Sequence, residues 1–307
     1  MTYAFVFPGQ GSQSVGMMAA YGDEAAIRDT FAEASDALGF DLAALVADGP
    51  AEALNQTINT QPAMLAAGVA VYRLWLARGG AQPALMAGHS LGEYTALACA
   101  GALGFADALK LVRLRAEAMQ SAVPEGVGAM AAVLGLDDDT VRAVCAEAAQ
   151  GEVLEAVNFN SPGQVVIAGH KAAVDRGCAL AKEKGAKRAL PLPVSVPSHC
   201  ALMKPAAEKL LIALNAIEVK APLVPVIHNA DVASHGDPAA IRDALARQLY
   251  SPVRWVESMQ AMAAQGVSRI AECGPGKVLA GLNKRILDNV PTLALADATA
   301  LAAALEQ

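Results

Sequence analysis

A G-x-S-x-G pentapeptide, Gly88-His89-Ser90-Leu91-Gly92, constrains the fold of this chain more than any other feature. The apolar stretch 84–87 before it is typical of a short buried strand, and residues 93–100 after it have the composition of a helix. A serine on a sharp turn between a strand and a helix forms a nucleophile elbow, with its hydroxyl beside the first N–H groups of that helix. Ordinary turns use the same glycines, but the flanking pattern favours Ser90 as a nucleophile.

Composition indicates a chain with a large apolar core. The 307 residues are 54% hydrophobic and 17% charged, enough for one large domain with a smaller insertion and unlike a disordered chain. The formal net charge of -7 argues against a general nucleic-acid-binding protein. Five scattered cysteines without a C-x-x-C pair indicate free thiols in a reducing compartment. Because we find neither a signal peptide nor a bilayer-spanning run, we expect a cytoplasmic protein that does not bind membranes.

The order of predicted elements indicates an α/β fold with an insertion. Alternating strands and helices predict a mainly parallel sheet covered by helices on both faces, with residues 24–81 mostly helical, punctuated at Gly49-Pro50 and Gln61-Pro62. A further strand is expected over 223–227. Residues 128–192 follow the order strand, helix, strand, strand, helix, strand, which is that of a ferredoxin-like module. We therefore predict a large domain of residues 1–124 and 197–307 and a small subdomain of residues 125–196.

A serine nucleophile needs a general base within hydrogen-bond reach, and histidine is the usual choice. The candidates are His89, His170, His199, His228 and His235. His199 lies where the chain re-enters the large domain, and clefts form at such junctions, so we favour it over His228, which ends a predicted strand. Any single histidine is more commonly a structural residue. No acidic residue stands out as the partner of the base, and a backbone carbonyl is an alternative.

Arg115 projects from the apolar face of a predicted helix over residues 105–121. Its neighbours at helical spacing are Leu111, Val112, Ala118 and Met119. A guanidinium on an apolar face needs an anionic partner, because an unpaired buried charge is very costly. That partner is either a core carboxylate or the carboxylate of a substrate.

The loop Gly9-Gln10-Gly11 follows the first predicted strand, at the edge of an α/β sheet where ligands bind. Its backbone N–H groups and that of Leu91 are candidates for an oxyanion hole. A plain glycine-rich connection is the alternative, and the spacing matches neither of the common phosphate-binding loops.

Six segments occur together in order along nearly the whole chain. They are Phe7-Pro8-Gly9-Gln10-Gly11-Ser12-Gln13, Gly88-His89-Ser90-Leu91-Gly92-Glu93-Tyr94, Asn158-Phe159-Asn160-Ser161-Pro162-Gly163-Gln164, Pro197-Ser198-His199, Arg247-Gln248-Leu249-Tyr250 and Gly274-Pro275-Gly276-Lys277. In this combination the chain closely resembles the malonyl-CoA:acyl carrier protein transacylases of bacterial fatty acid synthesis, with no motif residue replaced. The resemblance implies an α/β-hydrolase-like core with an inserted ferredoxin-like subdomain.

The resemblance also implies catalytic roles by position. Ser90 is similar to the nucleophile of that family, and His199 is similar to its general base. Gln248 resembles the residue whose backbone carbonyl orients the histidine, which would explain the missing acid. Gln10 and Leu91 resemble the backbone donors of the oxyanion hole.

For the substrate, Arg115 resembles the arginine that holds the malonyl carboxylate. Asn160 belongs to a motif that lines the cleft, and Met119 and Ser198 are expected to shape the acyl pocket. The implied mechanism is ping-pong: the serine takes malonyl from malonyl-CoA and passes it to the phosphopantetheine thiol of acyl carrier protein. The resemblance implies no metal and no bound cofactor, and we expect a monomer.

Acyl carrier proteins are acidic, as is this chain, so docking requires a local positive patch. The candidates are Lys187-Arg188 and Lys284-Arg285, with scattered surface charge as the alternative. Three other functions use the same features: a serine hydrolase, a catalytically silent docking module for acyl carrier protein, and a stand-alone acyltransferase of polyketide assembly.

Overall fold

The structure, a computed structural model, describes residues 2–194 and 196–306. Its strands form two sheets with different directions and different roles. In chain order the strands are Tyr3–Phe7 (β1), Leu85–Gly88 (β2), Gly128–Leu134 (β3), Leu154–Ser161 (β4), Gln164–His170 (β5), Arg188–Pro191 (β6), Val226–Ile227 (β7), Arg269–Glu272 (β8) and Thr292–Ala294 (β9).

Helices connect most of the consecutive strands. They are Ala25–Leu38 (α1), Leu42–Asp48 (α2), Ala51–Leu54 (α3), Thr57–Ala77 (α4), Gly92–Cys99 (α5), Phe105–Gln120 (α6), Asp138–Ala149 (α7), Lys171–Glu183 (α8), Lys204–Ala216 (α9), Pro238–Gln248 (α10), Trp255–Ala264 (α11), Val278–Asn283 (α12) and Ala298–Leu305 (α13), with short 3-10 turns at Ala19–Tyr21 and Ala201–Met203.

The larger sheet is parallel, with strand order β7-β2-β1-β8-β9. Its central strand β1 is an unbroken apolar run because helices cover both faces of such a sheet. The carboxyl ends of β1 and β2 lie side by side, and the His89 N–H donates to the Phe7 carbonyl at 3.0 Å. This pairing places the loop after β1 next to the turn that carries Ser90.

Two glycines allow the chain to turn this sharply after β2. A Cβ on Gly88 would lie 1.8 Å from the backbone of Gly92, and a Cβ on Gly92 would lie 2.0 Å from the carbonyl oxygen of Phe7. Since no side chain fits at such distances, the G-x-S-x-G pattern is a steric requirement of this strand–turn–helix unit.

The smaller sheet is antiparallel, with strand order β4-β5-β3-β6, and α7 and α8 pack against it. The order of strands and helices is the ferredoxin-like one expected from the sequence. Backbone hydrogen bonds tie this sheet to the rest of the molecule: Phe159 donates to Val253 at 3.0 Å, and Val253 donates to Val157 at 2.8 Å. The boundaries at 125 and 196 stay a prediction.

Two local predictions were wrong. Helix α4 continues through Pro62 instead of breaking there; nearly all of its residues from Thr60 to Trp75 are buried, and core packing outweighs the missing N–H of one proline. The strand expected over 223–227 is only Val226–Ile227. Leu223 is 81% exposed, and its N–H donates to the Ala100 carbonyl at 2.8 Å instead of joining the sheet.

Candidate active site

A cleft of about 360 Å³ opens at the turn after β2. It is lined from several elements, among them Gln10, Ser90, Leu91, Met119, Ser198 and His199. Ser90 has a φ of 53°, in the left-handed region that non-glycine residues rarely adopt. This backbone conformation presents the Ser90 hydroxyl to the cleft, as a nucleophile elbow requires.

Ser90, His199 and the backbone of Gln248 form a continuous hydrogen-bonded chain. Ser90 Oγ lies 2.8 Å from His199 Nε2, and His199 Nδ1 lies 2.8 Å from the carbonyl oxygen of Gln248. Because a carbonyl only accepts, Nδ1 must carry the imidazole proton, and Nε2 is free to accept the proton of the serine hydroxyl. The structure thus brings together the three residues expected from the resemblance, with a backbone carbonyl where an acid often stands.

The imidazole of His199 is kept neutral by its surroundings. Burial is the larger cause and the nearby Arg115 guanidinium is the second, and together they lower the pKa of His199 from 6.5 to about 3. A histidine with this pKa is unprotonated throughout the physiological range. It therefore does not have to lose a proton before it accepts the proton of Ser90.

Arg115 lies beneath the serine, and its side chain is 1% exposed. It donates from Nη1 to Gln61 Oε1 at 2.8 Å, and from Nη2 to Gln248 Oε1 at 3.1 Å and Ser90 Oγ at 3.3 Å. All of these partners are neutral, and within the described part of the chain Nε has no partner at all. A buried cation held only by neutral groups can still bind an anion, which favours the substrate-carboxylate interpretation over a core ion pair.

The backbone of Ser90 is held on both sides by amide side chains. Its N–H donates to Asn229 Oδ1 at 2.8 Å, and its carbonyl accepts from Gln248 Nε2 at 2.9 Å. Asn229 also donates from Nδ2 to the Gly88 carbonyl at 2.7 Å. Sequence reasoning missed Asn229, Glu93 and Gln61; Glu93 alone had a local signal, since it follows the serine by three residues.

The remaining predicted substrate residues divide into two groups. Met119 and Ser198 line the cleft. Gln10 and Leu91 line it too, and the oxyanion role of these two residues stays a prediction. In contrast, Asn160 Oδ1 lies 2.7 Å from His89 Nε2, and the residue of β4 that lines the cleft is Asn158. Substrate binding by Asn160 therefore stays a prediction, and in this structure its side-chain oxygen contacts His89.

The other histidines have partners of their own. His228 is fully buried, with Nδ1 2.7 Å from Glu93 Oε1. His170 Nδ1 accepts from the Val153 N–H at 3.0 Å, and His235 Nε2 lies 3.0 Å from Asp231 Oδ2. The structure therefore places His199 at the serine, and not His228, which contacts Glu93.

The four basic docking candidates do not all meet. Lys187, Arg188 and Arg285 line one depression of about 610 Å³ on the smaller sheet's side of the molecule. Arg285 reaches across it, donating to Gln164 Oε1 at 2.9 Å. Lys284 lines a different depression, beside β9.

Comparison with known proteins identifies the family of the chain. Residues 4–299 match the acyl transferase domain family. The malonyl CoA-acyl carrier protein transacylase of Escherichia coli strain K12 is 62% identical over 308 residues, with 99% of each chain covered. The protein of the same name from Bacillus subtilis strain 168 is 46% identical over 305 residues, covering 99% of this chain and 96% of its own. The chain belongs to the malonyl CoA-acyl carrier protein transacylase family.

Solved structures of this transacylase family confirm the predicted fold. An acyl-carrier-protein S-malonyltransferase from Burkholderia pseudomallei 1710b superimposes with a TM-score of 0.99 at 62% identity and covers 100% of both chains. A malonyl-transacylase in complex with its type II polyketide synthase acyl carrier protein has a TM-score of 0.98 at 55% identity, covering 100% of this chain and 99% of its own. Among the residues described, no helix is both long and apolar enough to cross a membrane.

Proposed function

We propose that this chain transfers the malonyl group of malonyl-CoA to the phosphopantetheine thiol of holo acyl carrier protein, through a malonyl ester on Ser90. The observation that carries the proposal is the buried, neutrally partnered Arg115 within 3.3 Å of the Ser90 hydroxyl. Membership of the transacylase family supports the same reaction.

In the first half-reaction, Ser90 Oγ attacks the thioester carbonyl of malonyl-CoA. His199 Nε2, at 2.8 Å, takes the hydroxyl proton as the new C–O bond forms. When the tetrahedral intermediate collapses, the C–S bond breaks, His199 returns the proton to the sulfur, and free coenzyme A leaves. The carbonyl of Gln248 holds the imidazole ring in the orientation that both steps need.

The negative charge of the intermediate needs donors on the side of the turn. The N–H of Leu91, in the elbow just before α5, and the N–H of Gln10, in the loop after β1, are the proposed oxyanion hole. Both residues line the cleft with Ser90, which supports this assignment.

Arg115 is the proposed selector of the acyl group. A malonyl group on Ser90 carries its free carboxylate two bonds beyond the ester carbonyl, and the guanidinium lies beside the serine oxygen. A charge-assisted contact inside a water-poor pocket favours an acyl group with a terminal carboxylate over an apolar one.

In the second half-reaction, the phosphopantetheine thiol of the carrier protein attacks the ester of Ser90. His199 takes the thiol proton, a C–S bond forms, and the C–O bond to Ser90 breaks as the proton passes to Oγ. The residues named here supply every proton transfer of the cycle, so we propose that neither a metal nor a bound cofactor takes part.

For the carrier protein, we propose docking at the depression formed by Lys187, Arg188 and Arg285. An acidic partner is attracted to such a basic cluster, which also steers its approach. Lys284, which lines a different depression, contributes less. We further propose that a monomer is the active form, acting in the cytoplasm, and that residues 125–196 form a unit that inserts into a domain of residues 1–124 and 197–307.

Initial-rate kinetics test the proposed function. Malonyl-CoA and holo acyl carrier protein are varied together, and coenzyme A release is measured alongside malonyl-carrier-protein formation. Ping-pong transfer predicts parallel double-reciprocal plots and one malonyl-carrier protein for each coenzyme A. Release of coenzyme A with free malonate, at a rate independent of the carrier protein, would instead establish a serine hydrolase.

A polyketide carrier protein is the second acceptor to test, because a malonyl-transacylase 55% identical to this chain forms a complex with its type II polyketide synthase acyl carrier protein. Comparing kcat/KM for carrier proteins of fatty acid and polyketide synthesis decides between the two. A higher value for the fatty acid carrier is the expected outcome, and a higher value for the polyketide carrier would reassign the acceptor.

A further inference from the structure

Glu93 is a buried carboxylate directly behind the candidate nucleophile. It lies in the first turn of α5, its side chain is 0% exposed, and it touches neither the cleft nor solvent. We propose that Glu93 is a positioning residue which, through Gln248 and Asn229, sets both the backbone of Ser90 and the orientation of Arg115. This inference rests on the proposed malonyl transfer.

Each oxygen of the Glu93 carboxylate has a distinct task. Oε1 lies 2.7 Å from His228 Nδ1, and Oε2 accepts from the Asn229 N–H at 2.9 Å and from Gln248 Nε2 at 2.8 Å. The partners come from two segments of the chain, the turn after β7 and the end of α10, and Glu93 links both to α5. A carboxylate that joins segments in this way holds them in one relative position.

The first consequence concerns the side chain of Gln248. Its Nε2 donates to two groups that can only accept, Glu93 Oε2 and the Ser90 carbonyl. These two acceptors determine the orientation of the Gln248 amide, so its oxygen Oε1 must face Arg115 Nη2, at 3.1 Å. If the amide turned over, its NH₂ group would face the guanidinium, and Arg115 would lose an acceptor beside the serine.

The second consequence concerns the backbone of Ser90. Glu93 holds the N–H of Asn229, and the side chain of Asn229 in turn accepts from the Ser90 N–H at 2.8 Å. The left-handed conformation of Ser90 is unfavourable in isolation and persists only when its surroundings enforce it. Asn229 and Gln248 are both hydrogen-bonded to Glu93, and they bind the N–H and the carbonyl of Ser90, respectively.

The arrangement also keeps the negative charge of Glu93 one residue away from Arg115. Gln248 stands between the carboxylate and the guanidinium, so the two charges attract without forming a direct ion pair. A direct pair would compete with a substrate carboxylate for the guanidinium. The amide bridge therefore leaves the charge of Arg115 available to malonyl.

Two conservative substitutions separate hydrogen-bond geometry from charge. Glu93→Asp keeps the charge but withdraws the carboxylate by one methylene from Gln248 and Asn229. Glu93→Gln removes the charge but keeps the side-chain length, so the carbonyl oxygen of the new amide accepts from both residues. Its NH₂ donates to His228 Nδ1 once the imidazole proton moves to Nε2, which is buried without a partner in the described part of the chain, so this variant loses stability but keeps both contacts.

The readout is the ratio of kcat/KM for malonyl-CoA to that for acetyl-CoA, per titrated active site. We expect Glu93→Asp to lower this ratio about tenfold, the size of a lost hydrogen bond to a charged group, and Glu93→Gln to stay within about threefold of the parent. Glu272→Asp is the matched control: Glu272 is also fully buried, but it accepts from the N–H groups of Leu279 and Ala280 in α12. It should lower the melting temperature and leave the ratio unchanged.

A parent-like ratio in Glu93→Asp, or an equal loss in both Glu93 variants, would overturn the inference. Failure of the proposed function is distinguishable, because the parent itself would then pass no malonyl group to the carrier protein. A structural role alone would reduce the number of active sites and leave the ratio per site as in the parent.

Discussion

Replacing Arg115 by alanine removes the guanidinium that we assign to the substrate carboxylate. The side chain is 1% exposed, so solvent does little to weaken its interactions, and its nearest contact to the reacting group is 3.3 Å, to Ser90 Oγ. A charge-assisted contact of this kind contributes about 1.5–3 kcal/mol, and 1.4 kcal/mol is a factor of ten. We therefore expect kcat/KM for malonyl-CoA to fall roughly ten- to a hundredfold relative to that for acetyl-CoA.

The assay compares malonyl-CoA and acetyl-CoA with the same carrier protein. Rates are expressed per active site, so that partial unfolding of the variant does not affect them. Arg115→Lys is the control: it keeps the charge but loses the fork that contacts Gln61 and Gln248, so its loss should be smaller than that of Arg115→Ala. An unchanged malonyl-to-acetyl ratio in Arg115→Ala would refute the carboxylate assignment.

Three further predictions concern His199, Gln61 and the basic depression. Since a pKa of about 3 keeps His199 unprotonated, kcat/KM for malonyl-CoA should stay level from pH 7 to about pH 5, and a fall centred near 6.5 would contradict the burial argument. Gln61→Glu places a carboxylate on Arg115 Nη1, so malonyl selectivity should fall about tenfold, as measured by the malonyl-to-acetyl ratio. The double variant Arg188→Glu with Arg285→Glu should raise the KM for acyl carrier protein several-fold without slowing malonylation by malonyl-CoA, whereas Lys284→Glu should change this KM little. A double variant with the same KM as the parent would contradict the docking proposal.

Features with a local pattern were predictable from the sequence. The elbow is recognisable in the sequence because the backbone leaves no room for a side chain at Gly88 or Gly92, and the two glycines stand within five residues. The ferredoxin-like sheet follows from the order of its elements, and the burial of Arg115 follows from helical spacing on α6.

The network behind Ser90 was not predictable in the same way. Glu93 meets His228 and Gln248 across separations of 135 and 155 residues, and no local pattern encodes such partners. The group that orients His199 is a backbone carbonyl, which any residue type supplies, so only the family resemblance pointed to Gln248. The unbroken helix α4 shows core packing overriding the local preference of Pro62, whereas the short strand β7 begins only after Pro225, in keeping with the missing N–H of proline.

The central claim is that Ser90 carries the malonyl group between coenzyme A and the carrier protein. Intact mass after mixing with malonyl-CoA and quenching in acid tests it most directly, with Ser90→Ala alongside and holo acyl carrier protein added in a second step. The account predicts a gain of one malonyl group in the parent only, and its loss to the carrier protein in the second step. A malonyl adduct on Ser90→Ala, or malonyl transfer without any adduct on the parent, would contradict it.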